Sequence, residues 1–170
     1  MGRPRFCGRP FHNMKRCNIR PAERNFRMAI IKEKRIKMTS VIENLLPSGL
    51  SDGEPERAEC EAEGFLKITD GEYNITYSEM TEGGKVVSDI IITEGSVRVK
   101  RVGAIESDMY FEEGYLHKSL YGVPPYSFDA EIMTKKIRNN MTRDGGRTDI
   151  FYNMKIGGAE KSVRMRIECF

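Results

Sequence analysis

The sequence predicts an all-β domain, an antiparallel up-and-down barrel of about eight to nine strands filling most of the 170-residue chain. Three observations predict it. Apolar and polar residues alternate with a period of two in run after run; the runs recur roughly every 8–12 residues; and glycine-centred turns separate them. Such spacing favours a meander over βαβ units, and adjacent hairpins favour up-and-down order. Only Met28–Lys34 hints at helical periodicity, and it is short.

The first strand places Ile36, Met38, Ser40 and Ile42 on one side, and a loop with Pro47, Gly49, Gly53 and Pro55 follows. In the second, Ala58, Cys60, Ala62, Gly64, Leu66 and Ile68 alternate with Arg57, Glu59, Glu61, Glu63 and Lys67. Its small residues and Gly64 suit the sharp bend of a barrel strand. Asp70-Gly71 is a two-residue hairpin signal leading to Tyr73, Ile75 and Tyr77. Gly83-Gly84 opens Val86–Thr93, Glu94-Gly95 opens Ser96–Val102, and Gly103 breaks that run before Met109–Phe111. Glu113-Gly114 turns into Tyr115–Tyr121, and Pro124-Pro125 precedes Tyr126–Ile137. Asp144-Gly145-Gly146 and Gly157-Gly158 introduce Thr148–Ile156 and Ser162–Cys169.

The charge is divided along the chain. Residues 1–27 hold eight basic residues (Arg3, Arg5, Arg9, Lys15, Arg16, Arg20, Arg24, Arg27) against Glu23, a net +7, so with the whole chain at +3 the rest carries −4. This leader has no apolar periodicity and is expected to be a disordered tail, or sequence upstream of a true start at Met28, with the barrel domain spanning 28–170. No apolar run reaches the length of a membrane helix and none follows the leader as a secretory signal would require, so a cytoplasmic protein with no membrane partner is expected. Four scattered cysteines suggest no disulfide framework, and Cys60 and Cys169 read as packing residues.

The ordered features of the body resemble one known group. Lys37-Met38-Thr39-Ser40, Glu63-Gly64-Phe65, Ile75-Thr76-Tyr77-Ser78-Glu79, Arg101-Val102-Gly103 and Met109-Tyr110-Phe111 with Gly114 come in sequence. Tyr121 and Pro124 follow, then Thr134, then Gly146 ahead of Tyr152. In this order they resemble the uncharacterised bacterial family of YwiB-like, lipocalin-like β-barrel proteins, over about Arg35 to Phe170. The resemblance implies a calycin-type barrel and no activity. Where that family usually has Thr-Pro-Tyr-Gly, this chain reads Val123-Pro124-Pro125-Tyr126, and with no tryptophan it lacks the Gly-x-Trp signature of true lipocalins.

Candidate sites follow from strand parity. Arg101 shares its side with Val97 and Val99, which aims a guanidinium into an apolar interior or its mouth; it then needs a carboxylate, with Glu79 and Glu113 as candidates, or a bound anion. Tyr73, Tyr77, Tyr115, Tyr121 and Tyr152 are candidate cavity linings, and His117 sits among tyrosines as the domain's one histidine. The expected ligand-binding set is therefore Arg101, Tyr77, Tyr115, His117, Tyr121 and Tyr152, with no catalytic set, cofactor or metal assigned. Cys7, His12 and Cys17 copy three ligands of a zinc knuckle, but Pro4 stands where the fourth belongs. The basic leader is the one segment suited to nucleic acid.

These readings converge on a barrel that binds a small, partly apolar ligand without catalysis. The alternatives are a structural or protein-interaction module, and a hydrolase or isomerase built on His117.

Overall fold

Alternation of this kind lets one face of each strand bury apolar side chains while the backbone pairs with both neighbours, and a closed sheet satisfies every strand edge at once. The computed structural model describes residues 29–170. They form β1 (Ile30–Leu45), β2 (Glu56–Thr69), β3 (Glu72–Thr81), β4 (Gly84–Ile92), β5 (Ser96–Gly103), β6 (Glu106–Glu112), β7 (Leu116–Val123), β8 (Tyr126–Thr142), β9 (Gly145–Ile156) and β10 (Ala159–Cys169). Each strand pairs antiparallel with the next, and β10 closes onto β1. The class is the one expected, but the barrel has ten strands rather than eight to nine. The difference lies in the count, since each alternating run, even the short Glu106–Glu112, makes its own strand. Among the described residues no helix is long and apolar enough to cross a membrane.

The barrel wall also begins earlier than expected. Ile30–Lys34 pairs with Gly64–Ile68, so these residues, for which the sequence hints at helical periodicity, open β1. Lys32 and Lys34 lie on the side of Ile36 and Met38 at the strand's end, where Lys32 donates to the Asp144 carboxylate at 2.7 Å while Lys34 donates to the Asp144 carbonyl. Ladder pairing and these contacts outweigh any local helical preference. The +7 leader and its Cys7-His12-Cys17 spacing lie outside the described residues.

The barrel has two unlike halves. Towards the β2–β3, β4–β5, β6–β7 and β8–β9 turns, the interior is solid with Ile75, Ile90, Ile92, Val97, Phe111 and Ile150, all fully buried. Asp70 and Gly71 make the β2–β3 turn with φ of 49° and 87°, the conformation an Asp-Gly hairpin favours. Gly64 lets β2 press against its neighbours, since a Cβ there would lie 2.6 Å from the Thr76 carbonyl oxygen and 2.9 Å from Tyr77 Cβ. Towards the β1–β2, β3–β4, β5–β6, β7–β8 and β9–β10 connections, the interior opens.

One seam interrupts the wall. β6 and β7 pair only at Glu106–Gly122 and Ser107–Tyr121. Beyond that point side chains replace the ladder: His117 Nε2–H donates to the Asp108 carbonyl at 3.0 Å, and Ser119 Oγ donates to the same oxygen at 2.7 Å.

Candidate functional site

The interior of the open half contains a cavity of about 380 Å³. Its walls are apolar and flexible, with Met38, Ile42, Met109, Met154, Val163 and Met165; its polar lining comprises Ser40, Cys60, Thr81, Tyr121 and Tyr152 and the charged Glu59, Glu79, Arg101 and Lys161. A barrel of about eight strands is just wide enough to fill with side chains, so ten strands leave room.

The polar groups beside Arg101 follow from register. Tyr77 pairs with Ser88, Ser88 with Arg101, Arg101 with Ser107, and Ser107 with Tyr121, so one interior row crosses β3 to β7. This row is under-satisfied. Arg101 Nε, Ser88 Oγ and Ser107 Oγ are buried without hydrogen-bond partners, as is Thr134 Oγ1 on β8. Ser88 lies beside the Tyr77 phenol, though not in hydrogen-bonding geometry. The Arg101 guanidinium contacts Met38 Sδ at 3.8 Å through Nη2, and a thioether is a weak acceptor. Native interiors seldom leave such groups unpaired, because each costs about 1–3 kcal/mol.

Neither carboxylate expected to pair with Arg101 does so. Glu113 lies elsewhere, its Oε1 accepting the Ile137 backbone N–H at 2.7 Å where β8 bulges between Thr134 and Lys136. Glu79 does enter the cavity, but among the described residues it forms no ion pair; it lies near the Cys60 thiol. Burial, reinforced by Glu79, pushes the Cys60 pKa up to about 12. Burial likewise raises the Tyr77 and Tyr152 phenols. The charge on Arg101 opposes all three shifts, so its field reaches across the cavity.

Of the residues expected from sequence, Arg101, Tyr121 and Tyr152 line this cavity. Tyr77 lies behind that lining, with its hydroxyl 3.9 Å from Met38 Sδ. Tyr115 and His117 do not join them: they lie with Arg98, Asp108 and Tyr110 in a depression on the outer wall, where β7 has peeled away from β6. Tyr73 belongs to the solid half, opposite Ile92. Ser88, Ser107, Thr134, Cys60 and the methionines were not singled out, although polar residues at interior parity were the available signal.

Other features are structural or open. Asp149, 2% exposed, lies beneath Arg147, Arg164 and Arg166 at 3.2, 3.5 and 2.8 Å on the outer wall. A groove of about 460 Å³ beside Ser127, Asp129, Glu131 and Lys155 is broad and faces solvent. Among the described residues, no group of three or more His, Cys, Asp or Glu side chains is placed to hold a metal ion.

A closed antiparallel barrel, solid at one end and hollow and polar-based at the other, defines the class of protein. The chain belongs to the family described as a domain of unknown function (DUF1934), which matches residues 48–167 and so covers β2 to nearly the end of β10. It is 27% identical over 112 residues to the uncharacterized beta-barrel protein YwiB of Bacillus subtilis (strain 168), a match covering 66% of this chain and 79% of that one. The crystal structure of the ywiB protein from Bacillus subtilis is similar with a TM-score of 0.68 at 25% identity, covering 81% of this chain and 92% of that one.

Proposed function

We propose that this barrel is a cytoplasmic binding protein for a small, partly apolar ligand whose anionic group docks on Arg101. The observation that supports this most is Arg101, a guanidinium with no carboxylate partner among the described residues, lining an apolar-walled cavity. An oxyanion there answers the guanidinium, while the methionine walls accept an apolar tail pointing to the mouth. The ligand therefore enters head first.

A titration with 3-phenylpropanoate, followed by NMR, tests the reading. The expected result is a saturable shift of the Arg101 Nε–H and of the Ser88 and Ser107 amides, absent in Arg101→Met. Shifts confined to the outer wall, or none, contradict it. They would favour the second reading, an interaction module without a ligand. That reading draws on Leu116, Leu120 and Met133, which stand 43%, 61% and 39% exposed on the outside of β7 and β8.

A further inference from the structure

Arg101 and Glu79 face the same cavity with opposite charges, yet they form no ion pair with each other. Their strands explain the separation. Arg101 pairs through Ser88 to Tyr77, and Glu79 lies one interior position nearer the mouth on β3. The two backbones are two strand spacings apart, about 10 Å across the sheet. Arg101 has only a thioether as a weak partner, and Glu79 has the Cys60 thiol nearby. Lys161 at the rim also forms no ion pair with Glu79 among the described residues. Partly buried opposite charges that share a cavity without meeting are each left short of a counter-charge.

We propose, building on the anion-binding reading above, that the ligand is a zwitterion with an apolar side chain, an amino acid or a close analogue. Its carboxylate lies on Arg101, and its ammonium on Glu79. The ligand completes a chain of charges that the protein leaves open in the middle. The carboxylate of Glu79 repels a simple acid and attracts an amino acid, so it selects within the anions that Arg101 admits. Thr81, two residues further along the same face of β3, adds a hydroxyl for the ammonium on the mouth side. The volume agrees: about 380 Å³ corresponds to roughly a dozen water volumes at 30 Å³ each. An apolar amino acid of about 8–12 non-hydrogen atoms fits that space, whereas a long acyl chain exceeds it. The apolar walls of Met38, Met109, Met154 and Met165 adapt to branched, thioether or aromatic side chains alike, so the class is set by the charges and not by one side-chain shape.

Isothermal titration calorimetry of the full chain tests this with leucine, methionine and phenylalanine. Each is compared with the acid that lacks the amino group and the amine that lacks the carboxylate. The expected result is that at least one amino acid binds about tenfold or more tighter than both of its analogues, the scale of one charge-assisted hydrogen bond. In Glu79→Gln, which keeps the side chain's size and removes its charge, the amino acid's advantage over its acid collapses towards one. If the acids bind as tightly as the amino acids, the zwitterion is overturned while the anion-binding reading stands. If amino acids, acids and amines all fail to bind, both are overturned.

Discussion

The two halves of the barrel are built from the same strands, with the same parity, and hold opposite contents. On β5, Val97 and Val99 are fully buried in the solid half, and Arg101, the next interior position, begins the open one. On β3 the sequence of interior residues is Ile75, Tyr77, Glu79 and Thr81, grading from apolar to charged along one strand. On β4 it is Ile92, Ile90, Ser88 and Val86, so one buried hydroxyl without a partner is followed by a fully buried valine. The gradient therefore runs along β3 and β5, on either side of β4. Stability resides at the solid end, and that reserve lets the other end keep polar groups unpaired.

The comparison can be broken by mutation. The largest effect is expected at the solid end, where Phe111 is fully buried and packs against Tyr152 with ring centroids 4.8 Å apart and planes tilted by 53°. Phe111→Ala should lower the unfolding free energy by about 3–5 kcal/mol in urea titration. A loss below about 1 kcal/mol would mean that this half is looser than its packing indicates.

A smaller effect, with a pH signature, is expected at the boundary. The Cys60 pKa rises from 9.0 to about 12 on folding, because burial and Glu79 favour the neutral thiol. Below about pH 9 both folded and unfolded chains keep the proton, and the contribution to stability is complete. Between pH 9 and 12 the unfolded chain ionises first, so stability falls as pH rises. The raised Tyr77 and Tyr152 phenols add to that fall on the alkaline side. Urea midpoints measured from pH 8 to pH 11 should therefore drop more steeply for the native protein than for Cys60→Ala. Parallel curves would place the Cys60 thiol in water.

Much of this architecture is legible in the sequence, and the limits have physical causes. Alternation around Val97, Val99 and Arg101 gives the interior direction of β5 without a structure, and Asp70-Gly71 gives its hairpin. The start of β1 is obscured because Lys32, Glu33, Lys34 and Arg35 crowd charges onto a strand whose partners lie far along the chain. His117 and Tyr115 share the parity of Tyr121, yet they leave the interior because β7 separates from β6 after two pairs. Parity along one strand cannot reveal whether the neighbouring strand stays paired. For the same reason, the row from Tyr77 through Arg101 to Tyr121 joins residues whose alignment only the ladder register fixes.

The smallest stability change is expected at Arg101 itself, and it tests the account most directly. A guanidinium held in place by a structural ion pair would cost about 3–5 kcal/mol to remove, through the partner left behind. Arg101 has no such partner among the described residues, and Met38 already supplies a thioether beside it. Urea unfolding of Arg101→Met at neutral pH should therefore give a protein as stable as the native one, or more stable. A loss of about 3 kcal/mol or more would make Arg101 a structural support and contradict a ligand site at the open end.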